Sequence, residues 1–150
     1  MYCIGNGFQR GMMFEEFLEK RRKKREQKER REAAYEAIQS SSEPNVKKAL
    51  DAAREDGLDK GWCIKLAIER QDLKIFKALM AFVDDPNQQI SYEVYDNGDR
   101  RNYTHTYSPI DYALSVKRTH DISLWLASNP RTNITGKMLD VARKNGMQDV

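Results

Sequence analysis

The chain has 150 residues, 39% hydrophobic and 33% charged, with a mean hydropathy of −0.82; that suffices for one core and is too apolar for wholesale disorder. Its 26 Lys+Arg and 23 Asp+Glu leave a net charge of only +3, which excludes a polycation that coats nucleic acid by net charge alone. No apolar run approaches the roughly 18–20 residues of a membrane span. The opening MYCIGNGFQRGMMF also lacks the basic-then-apolar order of a secretory signal.

At the N-terminus, Gly5-Asn6-Gly7 and Gly11 read as a flexible lead-in. A glycine cluster before a helix can cradle a phosphate, but neither a preceding strand nor a P-loop lysine accompanies it. From Met12 to about Gln39 no Gly or Pro interrupts a run rich in Glu, Lys, Arg, Gln and Ala, which predicts a long helix. Within it, KRRKKREQKERR (20–31) carries a local +7 and leaves −4 for the rest of the chain. Glu16–Lys20, Glu19–Lys23 and Glu26–Arg30 have the favourable acid-before-base spacing of four, at about 0.2–0.5 kcal/mol each. With no apolar stripe between Lys20 and Glu32, this stretch is expected to stand in water as a charged rod. Lys20, Arg21, Arg22, Lys23, Lys24, Arg25 and Lys28 are the alternative candidates for a nucleic-acid contact of salt-dependent strength. No aromatic residues interleave with them to stack on bases.

Ser42-Glu43-Pro44 opens a predicted helix of about 44–55, with Val46, Ala49, Leu50 and Ala53 inward and Gly57 as its C-terminal cap. Trp62 to Arg70 is the next helix, with Ile64, Ala67 and Ile68 inward. Asp72 caps a further one carrying Leu73, Ile75, Phe76, Leu79 and Met80, and DDPNQ (84–88) ends it. Residues 90–107 turn β-branched and aromatic around Asn97-Gly98, a hairpin signal. A two-residue turn would pair Tyr95 with Arg100, Val94 with Arg101 and Tyr92 with Tyr103, and would set Ile90, Tyr92 and Val94 on one face with Arg101, Tyr103 and His105. Helical pattern returns over 108–116, 121–128 and 135–144, followed by Gly146.

Self-comparison finds an internal repeat. Frames starting at residues 32, 62, 108 and 137 share small or branched apolar residues at the third place and Ala at the sixth. In the first three, apolar residues return at the fifteenth and from the eighteenth to the nineteenth, the frame at 32 fitting more weakly, and the last is matched by Leu139, Ala142 and Gly146. The 46-residue spacing between the middle frames exceeds its neighbours by about the length of the hairpin. Ser108-Pro109-Ile110-Asp111-Tyr112-Ala113 resembles the Thr-Pro-Leu-His-x-Ala opening of an ankyrin repeat. Ile122, Trp125 and Leu126 resemble its outer helix, and Leu139 to Gly146 the start of a last repeat. Trp62-Cys63 departs from the Thr-Pro opening, and Gln71-Asp72 and Lys117-Arg118 depart from its Gly-His turn.

The resemblance implies a mainly α protein: a short α-solenoid of ankyrin-like helix-turn-helix repeats with an inserted β-hairpin and a long charged N-terminal helix. Residues 1–31 would form the lead-in and charged helix, and 32–150 the repeat region, with units near 32–61, 62–107, 108–136 and 137–150. It further implies a non-enzymatic module in the cytoplasm of its own or a host cell, gripping a protein partner as inhibitor, adaptor or effector. The candidate contacts are Tyr92, Tyr95, Arg100, Arg101, Tyr103, His105 and Tyr107 on the hairpin, an aromatic–arginine composition suited to interface hot spots. Lys65, Glu69, Asp111 and Ser115 join them on the inner-helix face. No nucleophile–base motif occurs. Two distant cysteines and two histidines do not make a metal set, so no catalytic residue, metal, cofactor or membrane contact is expected.

Overall fold

The computed structural model of the chain describes residues 2–116 and 118–146, with side chains from Met13 onward. Among the described residues there are seven helices and one two-stranded antiparallel hairpin: α1 (Tyr2–Ser40), α2 (Glu43–Ala52), α3 (Lys60–Arg70), α4 (Leu73–Val83), β1 (Ile90–Asp96), β2 (Arg101–Tyr107), α5 (Pro109–Ser115), α6 (His120–Ser128) and α7 (Gly136–Lys144). Among the described residues, no helix is long and apolar enough to cross a membrane.

α1 begins ten residues earlier than its sequence predicts and runs through Gly5, Gly7 and Gly11, so the glycine segment is helical rather than a loose lead-in. Once nucleated downstream, a helix gains one hydrogen bond per added residue and tolerates a glycine at a cost of about 1 kcal/mol. From Met13 onward, its last turns alone enter the core, through Ala34, Ala37 and Ile38. None of the expected Glu16–Lys20, Glu19–Lys23 and Glu26–Arg30 pairs closes to a direct ion pair, although the Glu26 charge still acts on Arg30. Arg22 takes both Glu19 (2.5 Å) and Glu26 (3.9 Å) instead. Arg30 turns to the body, its Nε and Nη2 donating to the Asp56 carboxylate at 2.6 and 2.9 Å, while Arg31 donates to the Asp56 carbonyl at 2.9 Å. These bonds hold the Asp56 carboxyl below the usual carboxylate range.

Helix ends follow capping chemistry. Asp59 accepts from the Trp62 amide at 3.0 Å to start α3, and Asp72 accepts from the Lys74 and Ile75 amides to start α4, as its sequence predicts. Arg70 reaches across to the end of α1 and donates to the carbonyls of Ile38 (3.0 Å) and Ser41 (2.7 Å), groups with no intrahelical partner. Gly57 does not cap α2, which ends at Ala52. It supplies a left-handed residue (φ 73°) at the close of the following turn.

The helices pack as neighbours in sequence: α1 on α2, α3 on α4, α5 on α6. Contacts also run in succession from α1 to α3 to α5 to α7, and from α2 to α4 to α6. The recurring places of the sequence repeat are buried in the first three frames: Ala34, Ile64 and Ile110 at the third, Ala37, Ala67 and Ala113 at the sixth, Val46, Phe76 and Ile122 at the fifteenth, Leu50, Met80 and Leu126 at the nineteenth. In the fourth frame Ala142 at the sixth is buried, whereas Leu139 at the third is exposed. Loops at matching places also meet. Asn87 donates from Nδ2 to the Arg131 carbonyl at 2.7 Å, and its Oδ1 accepts from the Asn133 amide at 2.8 Å.

β1 and β2 occupy the span their composition predicts, but the turn between them differs. Asp96 pairs with Arg101, Tyr95 with Asn102, Val94 with Tyr103, Tyr92 with His105 and Ile90 with Tyr107. The connection is therefore a four-residue loop, 97–100, in place of a two-residue Asn-Gly turn. The cause is local: the Asp96 carboxylate accepts from the Gly98 amide at 2.7 Å and from the Asp99 amide at 3.4 Å, and Arg100 (φ 53°) takes the left-handed position. Because the register moves by two residues, every side chain keeps its expected face. Against the body, Gly61 lets the chain pass: a Cβ there would lie 2.3 Å from the Gln89 carbonyl oxygen, so no larger residue admits this crossing of α3 and β1.

Candidate functional site

The aromatic side chains of the hairpin divide into two groups. At the base, Tyr92, His105 and Tyr107 share the inward face in near-parallel array: Tyr92 and His105 have ring centroids 5.6 Å apart and planes 25° apart, His105 and Tyr107 6.4 Å and 7°. Tyr112, in α5, meets Tyr107 edge-on at 5.5 Å and Tyr92 at 6.4 Å. Pro109 in the first turn of α5 and the Ser108 side chain, which accepts from the Asp111 amide at 3.2 Å, fix where that helix begins and thereby where Tyr112 stands.

Lys65 of α3 enters this array. Its Nζ lies 4.8 Å from the Trp62 ring centroid, 4.9 Å from that of Tyr92 and 5.7 Å from that of Tyr112, and it donates to Glu69 Oε1 at 2.5 Å. The same carboxylate oxygen accepts from the Tyr112 hydroxyl at 2.6 Å. Only 13% of the Lys65 side chain remains exposed, against 40% for Glu69. Burial opposes the Glu69 charge, yet the hydrogen bonds from Lys65 and Tyr112 outweigh it and hold that carboxyl below its ordinary value. The Tyr112 phenol is pushed far up, by burial first and by its bond to Glu69 second; burial, with Tyr107 beside it, also raises Tyr92. The result is a cation held among π faces and anchored by one carboxylate.

At the tip, Tyr103 donates to Asp99 Oδ2 at 2.6 Å, Arg100 sits in the loop and Arg101 opens β2 across from Asp96. Tyr95 occupies the opposite face, more than half exposed. An open concavity lies beside Val94, Tyr103 and His105. Of the residues expected from sequence, the structure thus gathers Lys65, Glu69, Tyr92, His105 and Tyr107 into one array. Asp111 is half-buried in the first turn of α5, and Tyr95, Arg100, Arg101 and Tyr103 lie apart at the tip. Trp62 and Tyr112 were missed. Each sits beside a residue of the repeat pattern, and the cue was their aromatic character at the flank of an inner-helix cation.

The cations of α1 make no comparable site. Lys20, Arg21, Lys23, Lys24 and Arg25 are exposed; Arg22 is paired, and Lys28 faces Glu32 at 3.9 Å. Cys63 is a buried free thiol, its pKa pushed up to about 12 by desolvation, which disfavours the reactive thiolate. Among the described residues, no group of three His, Cys, Asp or Glu side chains is placed to hold a metal ion. No protein-family model, curated protein or solved structure matches the chain.

Proposed function

We propose that the chain is a non-enzymatic protein-interaction module, a short ankyrin-like solenoid that grips a partner in the cytoplasm with the base of its hairpin and the exposed face of α3 and α5. The observation that carries this reading is the meeting of five rings from four elements, α3, β1, β2 and α5, beside Lys65 and Glu69. Rigid aromatic side chains with polar edges bind with little loss of conformational freedom, and a partly desolvated charge pair at their centre gives direction to the contact. The solenoid part of the reading rests on the common burial pattern of the repeat frames and on the succession α1, α3, α5, α7.

The test is partner capture on immobilised chain. Replacing Lys65→Met together with His105→Ala should reduce retention of the partner about tenfold, the scale of one hot-spot loss, with helicity by circular dichroism unchanged. A tip variant, Arg100→Ala with Arg101→Ala and Tyr103→Ala, should weaken capture less. Equal retention by wild type and both variants would move the interface elsewhere.

A further inference from the structure

Among the described residues, a cluster of exposed apolar side chains lies outside the hairpin. Met13, Phe14, Phe17 and Leu18 in α1 are 69%, 61%, 54% and 47% exposed, on a stretch of helix that reaches beyond the body. Helical geometry carries their face onward through Arg21, Lys24, Arg25 and Lys28, whereas Glu15, Glu16, Glu19 and Glu26 fall on the other side. Leu18, Arg21, Arg22, Lys24, Arg25 and Lys28 line one surface concavity, and the Arg21 guanidinium lies 5.7 Å from the Phe17 ring centroid. α1 therefore carries one face, about 24 Å long from Met13 to Lys28, that is apolar at one end, cationic at the other and free of carboxylates between.

We infer that this face docks on the surface of an anionic lipid bilayer, an activity separate from the proposed hairpin interface. Charge complementarity selects the occupant. Pairing of two copies through this face is disfavoured in both directions: parallel, cations oppose cations, and antiparallel, the cations are buried against Met and Phe. A nucleic acid satisfies the cations but leaves the four apolar side chains in water. An anionic bilayer meets both halves, phosphate and carboxylate headgroups for the cations and the acyl boundary for Phe14 and Phe17, while the acids on the far side stay hydrated. The sequence argued against a membrane because it lacks a span; lying on the surface requires none.

The experiment is co-sedimentation of the full chain with phosphatidylcholine vesicles, with and without phosphatidylserine. Binding is expected only where phosphatidylserine is present, and Phe14→Ser with Phe17→Ser should weaken it about tenfold or more, two interfacial aromatics being lost, with helicity retained. Arg21→Glu with Arg25→Glu should abolish it. No sedimentation with phosphatidylserine vesicles overturns the proposal and returns the face to an acidic protein or to water. Binding indifferent to the Phe14→Ser, Phe17→Ser change, matched by equal binding of a DNA duplex, overturns it in favour of a general polyanion site.

Discussion

At the scale of single residues, Glu69 links two helices of the candidate site through one atom. One carboxylate oxygen takes both the Lys65 ammonium and the Tyr112 hydroxyl, and so ties α3 to α5 beside the hairpin. Its folded-state pKa is depressed, so its contribution to stability is complete above the ordinary carboxyl value of 4.5 and is lost as pH falls through the folded value. Glu69→Gln keeps an acceptor for Tyr112 but loses the charge that pairs with Lys65. At neutral pH the variant is expected to melt at lower temperature than wild type, and the gap should narrow as the solution is acidified below pH 4.5 and close once the folded-state carboxyl is protonated. Thermal melts across that range decide it; a gap independent of pH would mean that the charge of Glu69 contributes nothing. Arg30 and Arg31 make the complementary point. Both belong to the basic run by composition, yet their bonds to Asp56 make them ties between α1 and the body.

Elements were more legible in the sequence than the contacts between them. Composition and capping residues located the hairpin and α4, since both signals are local: β-branched alternation in one case and an Asp side chain satisfying free amides in the other. The hairpin turn was misjudged because Asn97-Gly98 is only one of two local options. The Asp96 side chain supplies the other and wins by satisfying two amides at once. Gly61 was not legible at all, because its requirement comes from residues 28 and 29 positions further along the chain. Trp62 and Tyr112 escaped for the same reason, their role being set by Lys65 and the hairpin together. The close approach at Gly61 yields a sharp expectation. Gly61→Ala must displace backbone at Gln89 rather than a yielding side chain, so it should cost roughly 1–3 kcal/mol in urea denaturation despite the better helix propensity of alanine. A neutral or stabilising result would mean that the entry to β1 is not pinned on α3.

For the molecule as a whole, the decisive matter is whether stability is distributed as in a stack of units or as in one undivided core. In a stack, each helix pair senses only its neighbours, so the same lesion costs more in the middle than at an end. The alanines at the sixth place of each frame allow a matched comparison, since Ala67 and Ala142 are both buried, on α3 and α7. α3 has α1 on one side and α5 on the other, whereas α7, among the described residues, packs against α5. Leucine at residue 67 has two helices to displace and should cost about 1–3 kcal/mol by overpacking. Ala142→Leu can be relieved by an outward shift of α7, for which the described residues show one neighbouring helix, and should cost distinctly less. The exposed Ala33→Leu serves as control and should be near neutral, within about 0.5 kcal/mol. Urea midpoints at constant slope give the three values. Equal costs at residues 67 and 142 would contradict a linear stack, and with it the solenoid part of the proposed function.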